Sequence, residues 1–206
     1  MMIEIKQIQK KYKKKAVLTD INLDVQEGSC VGILGGNGSG KSTLLSILAG
    51  VQKADNGSFL WGGADLFKNE KIREEILGYV PQGNPLMEEL TAWDNLRLWY
   101  EKDELKKELD GGVLDMLGIP DFLKVPVRKM SGGMKKRLSL ACALLDAPQI
   151  LLMDEPFAAL DLPAKQDAMQ FMRYYLSLGN SIVIASHEEA VFQFCHTCLL
   201  YTSDAA

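Results

Sequence analysis

The stretch GILGGNGSGKSTLLSILAG, residues 32–50, decides the fold of this chain. The apolar run Cys30 to Leu34 enters it and predicts a buried strand, and Ser42 to Ala49 predicts a helix that leaves it. Four of the six residues directly before Lys41 are glycines. Glycine lacks a Cβ, so the N–H groups of such a loop can approach a ligand closely. Because the N-terminal end of a helix dipole favours negative charge, this loop is expected to hold phosphate groups.

The loop matches the P-loop pattern in full, with Gly35, Gly40, Lys41 and Ser42 at the defining positions. In that pattern the lysine neutralises the β- and γ-phosphates and the hydroxyl binds Mg²⁺. The alternative is a glycine-rich turn followed by a chance Lys-Ser pair. The strand before the loop and the helix after it are the context that the motif requires, so a nucleotide site is favoured.

Composition and charge restrict the classes of protein that remain. The chain has 206 residues, enough for one α/β domain or for a domain with a subdomain, and its 47% hydrophobic and 24% charged content is typical of a globular protein. A net charge of -4 gives no support to a nucleic-acid binder, and we expect no nucleic-acid partner. Residues 10–15 carry five lysines, which we interpret as a solvated turn between two strands. Since no run approaches eighteen apolar residues, we expect no membrane span.

The order of elements predicts an α/β fold with a mainly parallel sheet, an N-terminal antiparallel part and an inserted helical segment. Alternating residues before position 26 predict antiparallel strands, while strand, helix and strand over 150–185 predict a parallel sheet. Residues 84–146 carry helical spacing, and we take Trp93 and Trp99 there as core anchors. The predicted core therefore comprises residues 1–83 and 147–198 of a single domain.

Two further groups of residues indicate chemistry. Asp154 and Glu155 follow an apolar strand, where ligands of open α/β sheets gather. Asp154 can hold Mg²⁺, and Glu155 can act as a general base toward water. An exposed Asp-Glu turn is the alternative, and the upstream P-loop disfavours it. Ser131, with Gly132 and Gly133 after it, begins either an ordinary capped helix or a second anion site.

The four cysteines do not suggest a disulfide framework. Cys30 and Cys142 stand in apolar runs and are interpreted as small core residues. Cys195 and Cys198 have CxxC spacing without a second ligand pair, so coincidence is favoured over zinc or redox chemistry.

Taken together, these motifs resemble the nucleotide-binding domain of ATP-binding cassette (ABC) proteins over nearly the whole chain. The match is an ordered set of short motifs: Gly35 to Thr43 (Walker A), Gln82 (Q-loop), Met130 to Met134 (signature), Ile150 to Glu155 (Walker B), Ala159 to Asp161 (D-loop) and His187 (switch histidine). The signature just before Walker B is far more specific than Walker A alone.

The resemblance implies ATP and Mg²⁺ as ligands and a head-to-tail homo- or heterodimer of ATPase domains. The signature loop of one protomer then closes over the ATP bound by the other, and Asp161 acts across the interface. It implies nucleotide contacts from the aromatic Tyr12, from the signature residues and from the Walker A residues Gly35, Asn37, Gly38, Ser39, Gly40, Lys41, Ser42 and Thr43. It further implies Mg²⁺ ligation by Ser42, Gln82 and Asp154, and catalytic roles for Glu155, His187 and Gln82.

The same resemblance implies a separate membrane permease, with this chain peripheral on the cytoplasmic face of the membrane. The stretch SGGMKKRLSLACALL resembles most the exporter-type ATPases of bacteria. For His187, capping of the following helix is an alternative that is compatible with contact to the γ-phosphate. The competing functions are an ABC ATPase of the iron–sulfur assembly type and a P-loop kinase of small molecules.

Two parts of the chain depart from the family pattern. Met130 and Met134 stand where the signature normally has Leu and Gln, and Met134 lacks the polar atoms of a glutamine amide. The end CLLYTSDAA resembles translated sequencing-adapter read-through, so we expect residues 199–206 to be a non-native tail. A short natural strand is the alternative for that segment.

Overall fold

The computed structural model describes residues 3–144, 147–158 and 160–201. Along these residues the strands and helices follow in this order: β1 (Ile3–Tyr12), β2 (Lys15–Val25), β3 (Cys30–Gly35), α1 (Lys41–Leu48), β4 (Asn56–Trp61), β5 (Ala64–Asp65), α2 (Glu70–Ile76), β6 (Leu77–Val80), α3 (Ala92–Leu96), α4 (Lys102–Leu109), α5 (Val113–Met116), α6 (Gly132–Ala143), β7 (Ile150–Asp154), α7 (Leu162–Ser177), β8 (Ser181–Ser186), α8 (Glu189–Phe194) and β9 (Thr197–Tyr201). Short 3₁₀ turns lie at Ile119–Phe122 and Val127–Lys129.

Two sheets organise the first of two units into which the chain divides, residues 3–82, 148–156 and 175–201. One sheet has the order β2-β1-β4-β5 with antiparallel pairs, and the other has the order β6-β7-β8-β3-β9 with parallel pairs. The fold class expected from the sequence, a mainly parallel sheet with an N-terminal antiparallel part, is therefore confirmed. The lysine-rich segment turns between β1 and β2 at Lys13, whose φ is 56°.

Burial explains why the apolar runs form the central strands. Every residue of β7 and β8 is buried, as continuous hydrophobic strands of a parallel sheet require. Helix α1 buries Leu44, Leu45, Ile47 and Leu48, which join the core formed by both sheets. The core therefore fixes β3 at the beginning of the connecting loop and α1 at its end.

The second unit comprises residues 83–144, 147, 157–158 and 160–174 and contains α3 to α6 and most of α7. A capping box at Thr91 begins α3, since the Thr91 side chain and the Asp94 side chain each bond the other residue's backbone N–H. The buried Tyr100 hydroxyl donates to the carbonyl of Ala141 at 2.8 Å. Trp99 is 57% exposed, so the prediction that it is a core anchor is wrong. Helix α3 ends at Leu96, and the chain then turns so that Tyr100 packs inward.

The C-terminal segment forms β9, which pairs in parallel with β3 from Val31 opposite Thr197 to Gly35 opposite Tyr201. Leu199 therefore belongs to a strand, while residues 202–206 lie outside the described residues. The non-native tail over 199–206 stays a prediction. No helix in residues 3–144, 147–158 and 160–201 combines the length and the apolar character needed to cross a membrane.

Candidate functional site

The loop between β3 and α1 borders a cleft of about 480 Å³ within the first unit. Ten of the residues predicted from the sequence to bind nucleotide or to act in catalysis line this cleft together with Val17: Tyr12, Asn37, Gly38, Ser39, Gly40, Lys41, Ser42, Thr43, Gln82 and Glu155. These residues come from four separate parts of the chain. The fold therefore brings residues of separate sequence motifs to one cleft.

Two glycines of the loop are required by its backbone conformation. Gly38 and Gly40 have φ angles of 77° and 108°, in the left-handed region that favours glycine. A methyl group at Gly40 would lie 3.0 Å from the carbonyl oxygen of Val17 and 3.0 Å from Leu18 Cδ2. A methyl group at Gly36 or Gly38 would meet no described atom within 4 Å, so those two positions face open space. The loop therefore packs closely on one side and leaves room for a ligand on the other.

The ammonium group of Lys41 is held at the base of the loop. Its Nζ donates to the carbonyl of Gly35 at 2.7 Å and to that of Gly36 at 3.1 Å. The Lys41 side chain is only 6% exposed, and Glu155 Oε1 lies 3.8 Å from its Nζ. A buried cation needs such partners, since its desolvation is otherwise costly. The charge of Lys41 is thereby oriented toward the loop backbone and the carboxylate.

Both the backbone and the carboxylate of Glu155 are held in a defined conformation. Its backbone has a φ of 46°, an uncommon conformation for a residue with a side chain that costs on the order of 1–3 kcal/mol. The backbone N–H of Glu155 donates to Ala185 at 2.8 Å. Its Oε2 accepts from the Ser186 hydroxyl at 3.3 Å, and its Oε1 lies 2.9 Å from His187 Nδ1. The carboxylate is thus aimed by two residues at the end of β8.

Asp154 ends β7 and is buried beside the neighbouring strand β6. The pKa of Tyr79, which lies on β6, is raised to about 12, mainly because the phenol is buried and secondarily because of the charge of Asp154. Gln82 follows β6 and is exposed at the cleft, as is Ser42 at the start of α1. A carboxylate, an amide and a hydroxyl are the oxygen donors that Mg²⁺ prefers.

Ser39 provides a test of whether the loop suits a phosphate group. Its side chain is 6% exposed, and its hydroxyl has no hydrogen-bond partner among the residues that the structure describes. A buried hydroxyl without a partner is costly, and phosphate oxygens are strong acceptors that would supply one. The open space at Gly36 and Gly38 and the buried ammonium of Lys41 fit the same group.

Tyr12 lies at the outer end of the cleft and is anchored to α1 by one residue that the sequence did not single out. Its hydroxyl donates to Gln52 Oε1, and Gln52 Nε2 donates to the Ser46 hydroxyl at 3.1 Å. Ser46 in turn donates to the carbonyl of Thr43 at 3.0 Å. This series of hydrogen bonds connects the aromatic ring to the helix that follows the P-loop.

Four predicted residues belong to the second unit and are described there alone. Ser131 and Gly132 are exposed, and the Ser131 hydroxyl accepts from the backbone of Met134 at 3.2 Å as the N-cap of α6. Gly133 is half-buried at the first turn of that helix. Asp161 accepts from the backbone of Ala164 at 3.0 Å, and Ala159 of the same motif lies outside the described residues. The capped-helix interpretation of Ser131 is therefore correct locally, and its second role stays a prediction.

Sequence reasoning missed Ser186 and Gln52. Ser186 precedes His187 at the end of an apolar strand. That position could have indicated that Ser186 lies at the site, because ligands gather at the ends of such strands. No short-range signal marks Gln52, because it is separated from Tyr12 by 40 positions. The alternative for His187, capping of α8, is not what the structure shows: the N-cap is Glu188, its side chain makes no capping bond, and His187 contacts Glu155.

The comparisons with known proteins agree with this geometry. The family model described as ABC transporter matches residues 18–158. The chain is 35% identical over 194 residues to the Nod factor export ATP-binding protein I of Sinorhizobium fredii, which covers 91% of this chain and 57% of that protein. It is also 35% identical to a sulfate/thiosulfate import ATP-binding protein of Shewanella oneidensis, over 92% of this chain and 52% of that protein. The chain thus spans little more than half the length of these two relatives.

Among solved structures, the ATP-binding cassette MJ0796 in a dimeric post-hydrolysis state with ADP and phosphate is similar with a TM-score of 0.87. That likeness covers 98% of this chain and 94% of the other at 28% identity. The family model covers more than half of the chain and includes the complete P-loop, Asp154 and Glu155. The chain therefore belongs to the ABC transporter family of ATP-binding proteins.

Proposed function

We propose that this chain binds ATP with Mg²⁺ and hydrolyses it as the nucleotide-binding subunit of a transporter. The observation that carries the proposal is the placement of Glu155 in the P-loop cleft. Its carboxylate lies 3.8 Å from the ammonium of Lys41 and 2.9 Å from His187 Nδ1. A carboxylate held beside a phosphate-binding cation is suited to act on a water molecule that attacks a phosphate.

The resemblance to the family and the contacts of the site support the following division of roles. The P-loop N–H groups and Lys41 would bind the phosphates, and Tyr12 would stack on the adenine. Mg²⁺ would be held by Ser42, Gln82 and Asp154, and when bound it neutralises charge that develops on the phosphate oxygens. The identities of these oxygen donors and the buried position of Asp154 support this assignment.

Glu155 would act as the general base. As the water oxygen bonds to the γ-phosphorus, the water proton passes to the Glu155 carboxylate. The bond from that phosphorus to the β-phosphate oxygen breaks, and ADP departs with its electrons. Ser186 and His187 would hold the carboxylate in the orientation that this transfer needs, and Lys41 would compensate the charge on the phosphate.

A second copy of an ABC ATPase domain and a separate membrane permease are the proposed partners. The exposure of Ser131 and Gly132 supports a head-to-tail dimer, because a signature loop must be accessible to reach the nucleotide of another protomer. The chain would then work at the cytoplasmic face of the membrane through the permease. The relatives include export and import subunits at 35% identity each, so the exporter type stays a prediction.

The substitution Glu155→Gln tests the catalytic assignment. It preserves the size of the side chain but removes the proton acceptor, so we expect ATP affinity within about threefold and turnover reduced by about 10²–10⁴-fold. Glu104→Gln makes the same chemical change at an exposed position of α4 and should leave turnover unchanged. Affinity is measured by calorimetry and turnover by phosphate release. Unchanged turnover in Glu155→Gln would refute the role of the carboxylate.

The dimer and the permease are tested separately. With ATP bound, Glu155→Gln should elute as a dimer in size-exclusion chromatography, and adding Ser131→Arg should return it to a monomer without loss of ATP binding. Coexpression with a membrane permease, chosen because its gene adjoins the gene of this chain, should bring both proteins into one detergent-solubilised complex. If that complex does not form while the nucleotide-dependent dimer does, the ATPase proposal stands and the transporter proposal fails.

A further inference from the structure

Three of the four cysteines meet at one place in the first unit, away from the P-loop cleft. Cys30 begins β3, Cys195 follows α8, and Cys198 lies in β9 directly opposite Gly32 of β3. A methyl group at Gly32 would lie 3.1 Å from Cys195 Sγ and 3.4 Å from Cys198 Sγ. The absence of a side chain at Gly32 therefore makes the space that the two sulfur atoms occupy.

One sulfur pair within this group lies next to two hydrogen bonds between Cys30 and His196, the residue that follows Cys195. Cys30 Sγ and Cys195 Sγ lie 3.3 Å apart. The N–H of His196 donates to the carbonyl of Cys30 at 2.9 Å, and the N–H of Cys30 donates to His196 Nδ1 at 3.0 Å. Because a disulfide bond is about 2.05 Å long, the two atoms need to approach by only about 1.2 Å.

The two thiols differ in exposure and in acidity. Cys30 is fully buried, whereas Cys195 is partly exposed. The hydrogen bond from the Cys30 thiol stabilises the Cys195 thiolate and lowers the pKa of Cys195. The same hydrogen bond, together with burial, raises the pKa of Cys30. These differences favour Cys195 over Cys30 as the attacking thiol.

We propose that Cys30 and Cys195 are a peroxide-oxidisable pair that closes to an intrachain disulfide. The Cys195 thiolate attacks one oxygen of hydrogen peroxide, the O–O bond breaks, and hydroxide leaves to take up a proton as water. The resulting sulfenic acid is attacked by Cys30 Sγ, the S–O bond breaks, and the thiol proton of Cys30 leaves with the oxygen as a second water. In sum, two thiols and one peroxide give one disulfide and two waters.

A metal site is the other function that such a group suggests. Among the described residues, no group of three His, Cys, Asp or Glu side chains is arranged to hold a metal ion. The nitrogen Nδ1 of His196 already accepts from the backbone of Cys30. The thiol pair is thus favoured over metal binding, and it stands independently of the proposed ATPase function.

A disulfide between Cys30 and Cys195 would join two elements that border the P-loop and His187. Cys30 begins the strand that enters the P-loop at Gly35, and Cys195 ends the helix that follows His187. A disulfide would tie these two elements together at a point where only hydrogen bonds and packing hold them in the reduced chain.

The test is a mass-spectrometric thiol assay on the intact, reduced protein treated with a small excess of hydrogen peroxide. We expect a monomer that has lost two hydrogen atoms, a Cys30–Cys195 linked peptide, and recovery of both thiols with dithiothreitol. Cys142→Ser, which removes a half-buried thiol in the second unit, should leave this link unchanged. Cys195→Ser should prevent it. Cys30→Ala combined with Cys198→Ser should leave a Cys195 sulfenic acid that dimedone traps, because neither neighbouring thiol can then condense with it.

Each opposite outcome overturns the proposal. A Cys195–Cys198 link in its place would mean that the CxxC pair reacts and Cys30 does not. Cys195 oxidised beyond the sulfenic acid while Cys30 stays free would show that the two sulfur atoms do not approach. If Cys30→Ala does not fold, the Cys198→Ser variant tests the proposal instead. This variant must still form the Cys30–Cys195 link, and loss of the link would overturn the proposal.

Discussion

Replacing Gln52 with leucine should weaken binding of ATP while leaving binding of inorganic tripolyphosphate unchanged. The leucine keeps the size of the side chain but removes both the acceptor for the Tyr12 hydroxyl and the donor to Ser46. Tyr12 then loses its connection to α1, and its ring is no longer held at one side of the cleft. Tripolyphosphate carries the phosphates without a base, so only the ligand with adenine should respond.

The size of the effect follows from the hydrogen bond and from exposure. A neutral hydrogen bond contributes about 0.5–1.5 kcal/mol, equivalent to about a twofold to twelvefold change in affinity. Tyr12 is 43% exposed, so its freed hydroxyl can bond to water and no penalty for an unsatisfied buried group is added. We therefore expect the lower part of that range, about twofold to fivefold weaker ATP binding.

The assay is calorimetric titration of ATP and tripolyphosphate into the unmodified protein, Gln52→Leu, Tyr12→Phe and the double variant. Tyr12→Phe keeps the ring and removes the hydroxyl, so it should reproduce the effect of Gln52→Leu, and the double variant should show no further loss. Equal weakening of tripolyphosphate binding would show that Gln52 acts through the conformation of α1. Additive losses in the double variant would refute the connection between the two side chains.

Two more predictions concern the loop and the core. Gly40→Ala should lower the unfolding free energy by about 1–3 kcal/mol more than Gly63→Ala, because both have positive φ but only Gly40 would crowd Val17. Equal losses in urea unfolding would show that the contacts at Gly40 relax freely. Ile47→Ala, at a fully buried position of α1, should cost about 2–5 kcal/mol, while Val51→Ala at a 69% exposed position should cost less than about 0.5. A loss below about 1 kcal/mol at Ile47 would contradict its place in the core.

Much of the fold was predictable because its signals are local. The apolar runs that became β3, β7 and β8 and the periodicity that became α1 each depend on a few consecutive residues. Around residues 90–100 the spacing fitted a longer helix, but α3 ends at Leu96 and Trp99 is exposed. Helical spacing alone does not define where a short helix ends, because packing decides which residue turns inward.

The P-loop, Asp154 and Glu155 were determined by the sequence alone, since the chemistry of phosphate binding needs these residue types at fixed spacing. Only the tertiary structure decided that Ser186 orients Glu155, that Gln52 anchors Tyr12 and that Cys30 meets Cys195 across 165 positions. The order β6-β7-β8-β3-β9 also appeared only there. Contacts between distant residues depend on which strands pair and how the core packs, and no run of neighbouring residues encodes that arrangement.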